Sequence, residues 1–457
     1  MLVAVWIITF LLIIGIGVYA GTKIKSANQW SGGDKTMGAV SLGCIFAAWQ
    51  IGGMAVVGAA QNGYNLGISG AWDSIAGSFY FIALAVFAKI IRERMPGESV
   101  PAYLQNRFDT KTTRLYSYAW IVYGFLYIPI QLKTVASIIQ IVLPGMNMMA
   151  AMLIGVTVAV LYTSFSGMKG ASAVGRVVCI GIYILLIIFT VTTLSGFGGL
   201  GGLFEQLPEN YNSMGNMPTQ RIIAWILGGC ISTAVMQAVL QPLLAAKSPQ
   251  AARTGSILGY LIAAPICFFT AICGMLSKAS GADLGDGSTA FAYAIKTFSS
   301  PVFAGIIFAF ATMIIAATMA TMMLATGTII TNIYKTEIDR NAGDQKVLKI
   351  SKSVTFIFAY LTLIPAFLIP SQSLTNLFLT LQHVAAAPVS FSILAGLMWK
   401  RCTKQGAFWS MLTGMIVGIS WMLLGLTDKM EAVYPVVVVT YSVGIIVSLM
   451  TSKKEIV

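Results

Sequence analysis

The chain has 457 residues, of which 57% are hydrophobic and only 9% are charged. A soluble domain carries about 25% charged residues, so the composition excludes an ordinary soluble protein and predicts an all-α membrane protein with many spans. The formal net charge of +13 raises nucleic-acid binding as an alternative, and the placement of the basic residues, described below, argues against it.

Apolar stretches with the length of one membrane span follow one another along the chain. About 13 such stretches of roughly 20 residues are present. The first is too long and too continuous for a signal peptide, so we expect it to be the first span. The predicted spans lie at 3–21, 38–61, 72–91, 115–143, 147–165, 174–195, 222–245, 255–277, 301–333, 350–369, 373–399, 405–425 and 432–451.

Basic residues are concentrated in alternate loops. The loop after the first span holds Lys23 and Lys25, every second loop after it is also rich in Lys and Arg, and the C-terminus adds Lys453 and Lys454. Because Lys and Arg are enriched in cytoplasmic loops, the pattern predicts an external N-terminus, a cytoplasmic C-terminus and a location in the cell membrane. It also accounts for the net charge without nucleic acid.

The stretch at 41–63 places the polar residue Gln50 at the middle of a span, followed by Gly52 and Gly53. Glycine is about 1 kcal/mol less favourable than alanine in a helix, and an amide at this depth needs a partner or water. We therefore predict a helix that opens at its centre, where freed carbonyl oxygens and helix ends can hold a cation and a solute. The alternative is a glycine pair that serves close helix packing.

A second glycine pair, Gly228 and Gly229, lies on the span at 222–245 and is followed by Thr233 and Gln237. Interrupted spans in corresponding halves of a chain are typical of inverted-repeat transporters that bind their solute at the membrane midplane. The pair therefore predicts a second broken helix.

Lys133 and His383 lie deep within predicted spans. Lys133 costs roughly 2.5–3.5 kcal/mol at the centre of a span, so we expect it to face a cavity or a partner; the alternative is a lysine that snorkels to the interface. His383, the only histidine, precedes Pro388, which should break the span near residues 385–388. His383 either bonds a solute, carries a proton or is satisfied by a neighbouring backbone group.

Residues 396–416 read GLMWKRCTKQGAFWSMLTGMI and resemble the signature of the sodium/solute symporter family. The resemblance extends over nearly the whole chain: TNIYK at 331–335, SGMKG at 166–170 and QPLLAAKSP at 241–249 resemble further family segments. Residues 47–64, AAWQIGGMAVVGAAQNGY, are most similar to the choline-transporter branch.

This resemblance implies a LeuT-type fold in a single transporter domain, 1–457. One extra helix at 3–21 precedes a five-plus-five inverted repeat, and two helices at 405–451 follow it. The resemblance places the first repeat at 38–195 and the second at 222–399.

The family's common sodium site falls, by the same resemblance, on the carbonyls of Ala48, Ile51 and Ile314 and on side chains at 317 and 318. Thr318 supplies the expected hydroxyl, whereas Ala317 stands where the family has another. The family's second sodium site needs a carboxylate near position 175, where this chain has glycine. The resemblance therefore implies at most one sodium ion.

Ser74 matches a position that contacts the solute in related symporters. Lys133 matches a position that is basic in several of them. Ser232 or Thr233 stands in place of an aromatic residue that is typical of the sixth core helix. We therefore expect a less aromatic pocket, which argues against the aromatic cage that a choline-type cation needs.

The sequence predicts a secondary active transporter that couples sodium to the symport of a small polar organic solute by alternating access. Alternatives are a proton-coupled or uncoupled transporter with a degenerate sodium site, a membrane sensor on the same fold, and a channel, for which no filter is visible. The partners are the solute and the lipid bilayer, and the oligomeric state is not predicted. The absence of a catalytic constellation or a nucleotide-binding loop argues against an enzyme and an organic cofactor. The predicted solute site comprises Gln50, Gly52, Ser74, Lys133, Thr233, Gln237 and His383.

Overall fold

The computed structural model describes residues 1–22, 24–32, 34–95, 99–368 and 381–452. No β-strand forms among these residues, and an isolated bridge joins Met37 to Ala246. In chain order the α-helices are α1 (Leu2–Gly21), α2 (Ala27–Ser31), α3 (Ala39–Gln50), α4 (Ala59–Leu66), α5 (Trp72–Gly77), α6 (Tyr80–Arg94), α7 (Val100–Arg107), α8 (Thr110–Val142), α9 (Met148–Gly196), α10 (Gly199–Glu205), α11 (Thr219–Ile231), α12 (Gln237–Leu244), α13 (Pro249–Ala263), α14 (Ile266–Ala279), α15 (Ala290–Phe298), α16 (Pro301–Ile333), α17 (Asp344–Leu361), α18 (Leu363–Leu368), α19 (Ser390–Met398), α20 (Lys404–Leu423) and α21 (Val433–Thr451).

The prediction of an all-helical membrane protein is confirmed. Within the described ranges, 10 helical stretches are long and apolar enough to cross a membrane, or 11 when one bent pair counts as a span. Two of the predicted spans, 38–61 and 147–165, contain the shorter apolar helices Ala39–Gln50 and Met148–Leu161. The number of 13 spans therefore stays a prediction.

Helix α9 contains both of the spans predicted at 147–165 and 174–195. Its backbone leaves the helical region at Gly167, where φ is 48°. A Cβ atom at this position would lie 2.5 Å from the carbonyl oxygen of Trp30. Both the positive φ and this close approach require glycine, and the resulting kink separates the two spans.

Helix α16 forms the centre of the bundle and packs against α1, α8 and α9. In its most apolar stretch, 78% of the residues are buried. The helix begins at Ser300, whose hydroxyl accepts a hydrogen bond from the N–H of Phe303 at 3.3 Å, and Pro301 takes the first helical position. Proline fits there because the first N–H groups of a helix have no acceptor within it.

Helices α3 and α4 form one broken rod that lies along α13 and α14. A Cβ atom on Gly63 would lie 2.2 Å from the carbonyl oxygen of Ala271, and one on Gly274 would lie 2.0 Å from that of Ala60. Small residues allow helix backbones to approach this closely. The contact between α4 and α14 therefore holds the second half of the broken rod in place.

The signature stretch spans the turn from α19 to α20. Arg107 donates from Nε to the carbonyl of Gly396 at 3.1 Å and from Nη2 to that of Cys402 at 3.0 Å. Arg94 donates from Nη1 to the carbonyl of Leu397 at 2.6 Å. Guanidinium groups with several fixed donors suit such a task, so this turn is clamped onto the ends of α6 and α7.

Candidate functional site

The first core helix is broken at its centre. Helix α3 ends at Gln50, and the backbone of Ile51 has φ −80° and ψ 57°, outside the helical region. A π-helix, Met54–Gly58, then leads into α4. The N–H of Gly53 donates to Oε1 of Gln131 on α8 at 2.9 Å. The predicted opening is confirmed, and a side chain from another helix satisfies part of it.

Both glycines of this break also serve close packing. A Cβ atom on Gly52 would lie 2.9 Å from Oγ1 of Thr318 on α16, and one on Gly53 would lie 2.8 Å from Cγ2 of Thr134 on α8. The two interpretations of the glycine pair are therefore both correct. The pair lets the helix open and brings its backbone against α8 and α16.

The second predicted break is also present. Helix α11 ends at Ile231, a short 3-10 helix covers Thr233–Val235, and Met236 is extended with ψ 142°. The helix then resumes as α12, with a bend of 58° between the two parts.

A third interruption lies beside His383. The stretch Leu381–Met398 contains a 3-10 helix at Ala387–Val389, around Pro388. This confirms the break predicted near residues 385–388, which follows from the N–H that proline lacks. The first part of the predicted span 373–399 lies outside the described residues.

These interruptions surround one narrow cavity of about 30 Å³, enough for little more than a water molecule. Of the predicted solute residues, Gln50, Gly52, Thr233 and His383 line it. Its full lining is Trp49, Gln50, Gly52, Met54, Gly77, Tyr127, Gln131, Trp225, Gly229, Thr233, Met236, Gln382 and His383.

Several buried polar atoms in or beside the cavity lack a hydrogen-bond partner among the described residues. They include both ring nitrogens of His383, Nε1 of Trp225 and Oγ of Ser232. Buried polar atoms in native proteins are nearly always paired, so each unpaired atom needs an explanation. A polar solute or water that enters the cavity would supply such partners.

Amide side chains supply most of the remaining polar lining. Oε1 of Gln50 accepts from the hydroxyl of Tyr80 at 3.2 Å. Nε2 of Gln382 donates to the hydroxyl of Thr233. Sequence reasoning did not assign Gln131 or Gln382 to the site, although Gln382 adjoins His383 and Gln131 follows Pro129 on a span.

Lys133 is not among the residues that line this cavity, although it belongs to the predicted solute site. The reason is helical phase. At about 100° per residue, Lys133 points about 200° away from Gln131, and Gln131 faces the cavity. Lys133 is half-buried on another side of α8.

Ser74 and Gln237 also lie outside the cavity lining. The hydroxyl of Ser74 donates to the carbonyl of Ala263 at 2.7 Å, where α13 ends. Oε1 of Gln237 accepts from the N–H of Val100 at 2.7 Å, and its Nε2 donates to Oε1 of Gln241 at 3.0 Å. Both side chains hold neighbouring helices together, and their contact with the solute stays a prediction.

The cavity is more aromatic than the sequence predicted. Trp49 and Tyr127 stack with ring centroids 5.7 Å apart, and Trp225 lines the same cavity. The expectation considered only positions 232 and 233, whereas the rings belong to Trp49, Tyr127 and Trp225. Among the described lining residues none is acidic, lysine or arginine.

Oxygen atoms converge where α3 ends against α16. Oγ1 of Thr318 lies 2.9 Å from the carbonyl oxygen of Ala48, 3.3 Å from that of Trp49 and 3.3 Å from that of Ile314. Hard cations take such oxygen ligands. Ala317 has only a methyl side chain, and its carbonyl accepts from the hydroxyl of Thr321 at 2.9 Å. The predicted set is thus brought together at Ala48, Ile314 and Thr318, while Ile51 lies at the break beside it.

A sequence model of the sodium:solute symporter family matches residues 31–414. The chain belongs to this family. Among the relatives of this symporter is the high-affinity proline transporter PutP of Bacillus subtilis, 24% identical, with 92% of each chain covered. Another is the sodium/glucose cotransporter of Vibrio parahaemolyticus, 25% identical, with 92% of this chain and 84% of that protein covered.

Solved structures show the same fold as this symporter. A Na⁺-coupled sialic acid symporter in a substrate-bound outward-open state has a TM-score of 0.78 and 17% identity, with 99% of this chain and 98% of that chain covered. A nucleobase-cation-symport-1 family transporter has a TM-score of 0.60 and 14% identity, with 92% and 93% covered. The predicted LeuT-type fold is therefore confirmed, and the chain is a membrane protein with many spans. Which side each terminus faces stays a prediction.

Proposed function

We propose that this symporter couples sodium to the uptake of a small, uncharged polar solute, which binds in the cavity between the two broken helices. Gln50, Gln382, Thr233 and His383 would bond the solute, and Gly52 would line the cavity beside them. The observation that carries this proposal is a cavity lined by amide, hydroxyl, imidazole and aromatic groups, with no formally charged side chain among its described residues apart from a protonatable histidine.

The chemistry of the lining favours a neutral solute with both donors and acceptors. Amide side chains offer both kinds of group. A charged solute would leave water for a cavity without a counter-ion, at a cost of several kcal/mol. The stacked Trp49 and Tyr127 rings offer a flat apolar surface for a ring or a hydrocarbon face of the solute.

The position of the oxygen cluster at Thr318 supports the sodium coupling in this proposal. Ala48 and Trp49 supply carbonyls to the cluster at Thr318, and Gln50, the next residue, lines the cavity. A sodium ion held by Ala48, Ile51, Ile314 and Thr318 would link α16 to the end of α3 in place of the hydrogen bond from Thr318. This link would fix the position of Gln50 and Gly52, so that the ion and the solute each favour the state that binds the other.

A proton-coupled or uncoupled transporter is the second candidate, and two observations favour it. Ala317 offers no side-chain oxygen to the cluster. Gly175 packs near Ala48, with a Cβ position 3.5 Å from that residue's Cβ, and has no carboxylate. The cation shell is therefore sparse, and a proton or no ion at all would then accompany the solute.

Uptake into proteoliposomes tests these proposals. The lysine-rich loops, which are predicted to be cytoplasmic, face the vesicle lumen in this assay. We expect an inward sodium gradient to drive accumulation of a neutral solute from a panel of sugars, polyols, amides and nucleobases. Proline and choline serve as zwitterionic and cationic comparators.

The outcomes separate the candidates. Accumulation of choline but of no neutral solute would overturn the solute class. Accumulation driven by a proton gradient without sodium would favour the second candidate. Flux without coupling to any gradient would indicate a facilitator or channel, and binding without flux would indicate a sensor.

A further inference from the structure

Glu431, in the turn between α20 and α21, lies beside the cavity histidine. Its Oε2 is 3.9 Å from Nδ1 of His383. The imidazole is fully buried, and neither of its nitrogens has a hydrogen-bond partner among the described residues. By the family resemblance, this turn belongs to the trailing helices, so the carboxylate comes from outside both predicted repeats.

The turn that carries Glu431 is held in place by its neighbours. Nε1 of Trp421 donates to the carbonyl of Met430 at 2.9 Å. The hydroxyl of Tyr434 donates to the carbonyl of Gln220 at 2.8 Å, which ties α21 to the start of α11. These bonds hold both ends of the turn, with the Glu431 carboxylate next to His383.

Helix α20 also packs directly on the stretch that carries His383. A Cβ atom on Gly418 would lie 3.0 Å from the Cα of Val384, and one on Gly414 would lie 3.0 Å from the Cβ of Pro388. Helix α20 therefore contacts the stretch with the histidine and leads directly into the turn with Glu431.

The charge of Glu431 bears on where the imidazole proton lies. Burial raises the pKa of the Glu431 carboxyl, and the guanidinium of Arg221 on α11 opposes that rise. A neutral imidazole carries one proton, and the group next to one nitrogen decides which nitrogen holds it. A carboxylate near Nδ1 favours the proton on Nδ1, which leaves a lone pair on Nε2.

His383 lines the cavity, and its Nε2 atom faces Gly228 on α11. A Cβ atom on Gly228 would be only 2.4 Å from this nitrogen, so glycine makes room for the ring edge. Ser232, which directly follows the last residue of α11, has a buried hydroxyl that also lacks a partner among the described residues. An acceptor and a hydroxyl thus lie at the same break in the helix.

We propose that Glu431 is a positioning residue that keeps the proton of His383 on Nδ1 and so makes Nε2 a hydrogen-bond acceptor for the solute. This inference deepens the proposed function and rests on it. It narrows the solute class to molecules that present an N–H or O–H donor to Nε2. An analogue with that group methylated would lose the bond and would meet the wall beside Gly228.

The tautomer can be measured without knowing the solute. His383 is the only histidine, so isotope-labelled histidine, in protein purified with a histidine-free tag, gives one pair of ring nitrogen signals in NMR. We expect the wild type to show the Nδ1–H tautomer. Glu431→Gln, which removes the charge and nearly keeps the shape, should shift the population towards Nε2–H, and Glu431→Ala should do the same by at least severalfold.

Glu209→Ala, at an exposed carboxylate on a different loop, is the matched control and should change nothing. An Nε2–H tautomer in the wild type, or an unchanged tautomer ratio in Glu431→Ala, would overturn the inference. If Glu431→Ala does not fold, Glu431→Gln and the wild-type tautomer still decide it.

Transport kinetics then connect the tautomer to the solute. With a solute identified by the uptake panel, Glu431→Ala should raise KM about 2- to 10-fold, the range of one hydrogen bond, with a smaller change in kcat. Glu431→Gln should raise KM in the same direction, and Glu431→Ala should have no further effect in a His383→Gln background. Additive effects would contradict the inference. Failure of all uptake would count against the proposed function alone, because the NMR result does not depend on it.

Discussion

Gln131 accepts a hydrogen bond from the backbone N–H of Gly53 at 2.9 Å, across 78 residues of sequence. Its Nε2 donates to the hydroxyl of Tyr127 one turn earlier on α8 at 3.2 Å. The break in the first core helix is thus held by a side chain of α8 as well as by its own backbone. This bond joins the opened helix to the aromatic side of the cavity.

Gln131→Ala should destabilise the protein by about 1–3 kcal/mol, because it leaves a buried N–H without an acceptor. Thermal unfolding of the purified protein in detergent measures this effect. Gln140→Ala is the control on the same helix, since Gln140 donates to the carbonyl of Met146 at 3.0 Å near the end of α8. Equal effects of the two variants would show that the bond to Gly53 has no special role.

Thr318→Ala should weaken sodium activation of uptake by about tenfold or more, because it removes the hydroxyl that approaches the carbonyls of Ala48 and Ile314. Ala317→Ser should tighten it by adding an oxygen ligand. Sodium-dependent thermal stabilisation reports the same affinity without a solute. Thr321→Ala is the control, because that hydroxyl bonds within its own helix. Unchanged sodium dependence in both test variants would refute the site.

Gly228→Ala should impair solute binding, because its Cβ atom would lie 2.4 Å from Nε2 of His383 and the ring would have to move. Gly15→Ala is the control: it lies on a helix outside the cavity lining, and nothing lies within 4 Å of its Cβ position. The measurement is KM for uptake, together with thermal stability. If both alanines raise KM equally, the position of the imidazole does not matter.

His383→Gln should raise KM but leave the pH profile of uptake unchanged, because the proposed role of His383 is to bond the solute and not to carry a proton. Glutamine can bond a solute and cannot titrate. Uptake between pH 5 and 8, the range in which histidine titrates, checks this. Loss of pH-driven accumulation with surviving solute exchange would instead make His383 a proton carrier, and it would replace sodium coupling with the proton-coupled candidate.

Local chemistry accounts for what the sequence by itself determined. The span pattern, the opening at Gly52 and Gly53 and the interruption at Pro388 follow from hydropathy, glycine's poor helix propensity and proline's missing N–H. These properties act within a few residues of chain. The signature at 396–416 likewise indicated the family from one short stretch of sequence.

Only the tertiary structure decided which side chains face the cavity. Lys133 and Gln131 stand two positions apart on α8, and the rotation of that helix turns Gln131 towards the solute site and Lys133 away from it. Trp225 and Glu431 lie far from Gln50 in sequence, and no motif around them identifies them as residues of the site. Helix packing fixes rotation and neighbours through contacts between distant residues, and a single sequence does not record those contacts.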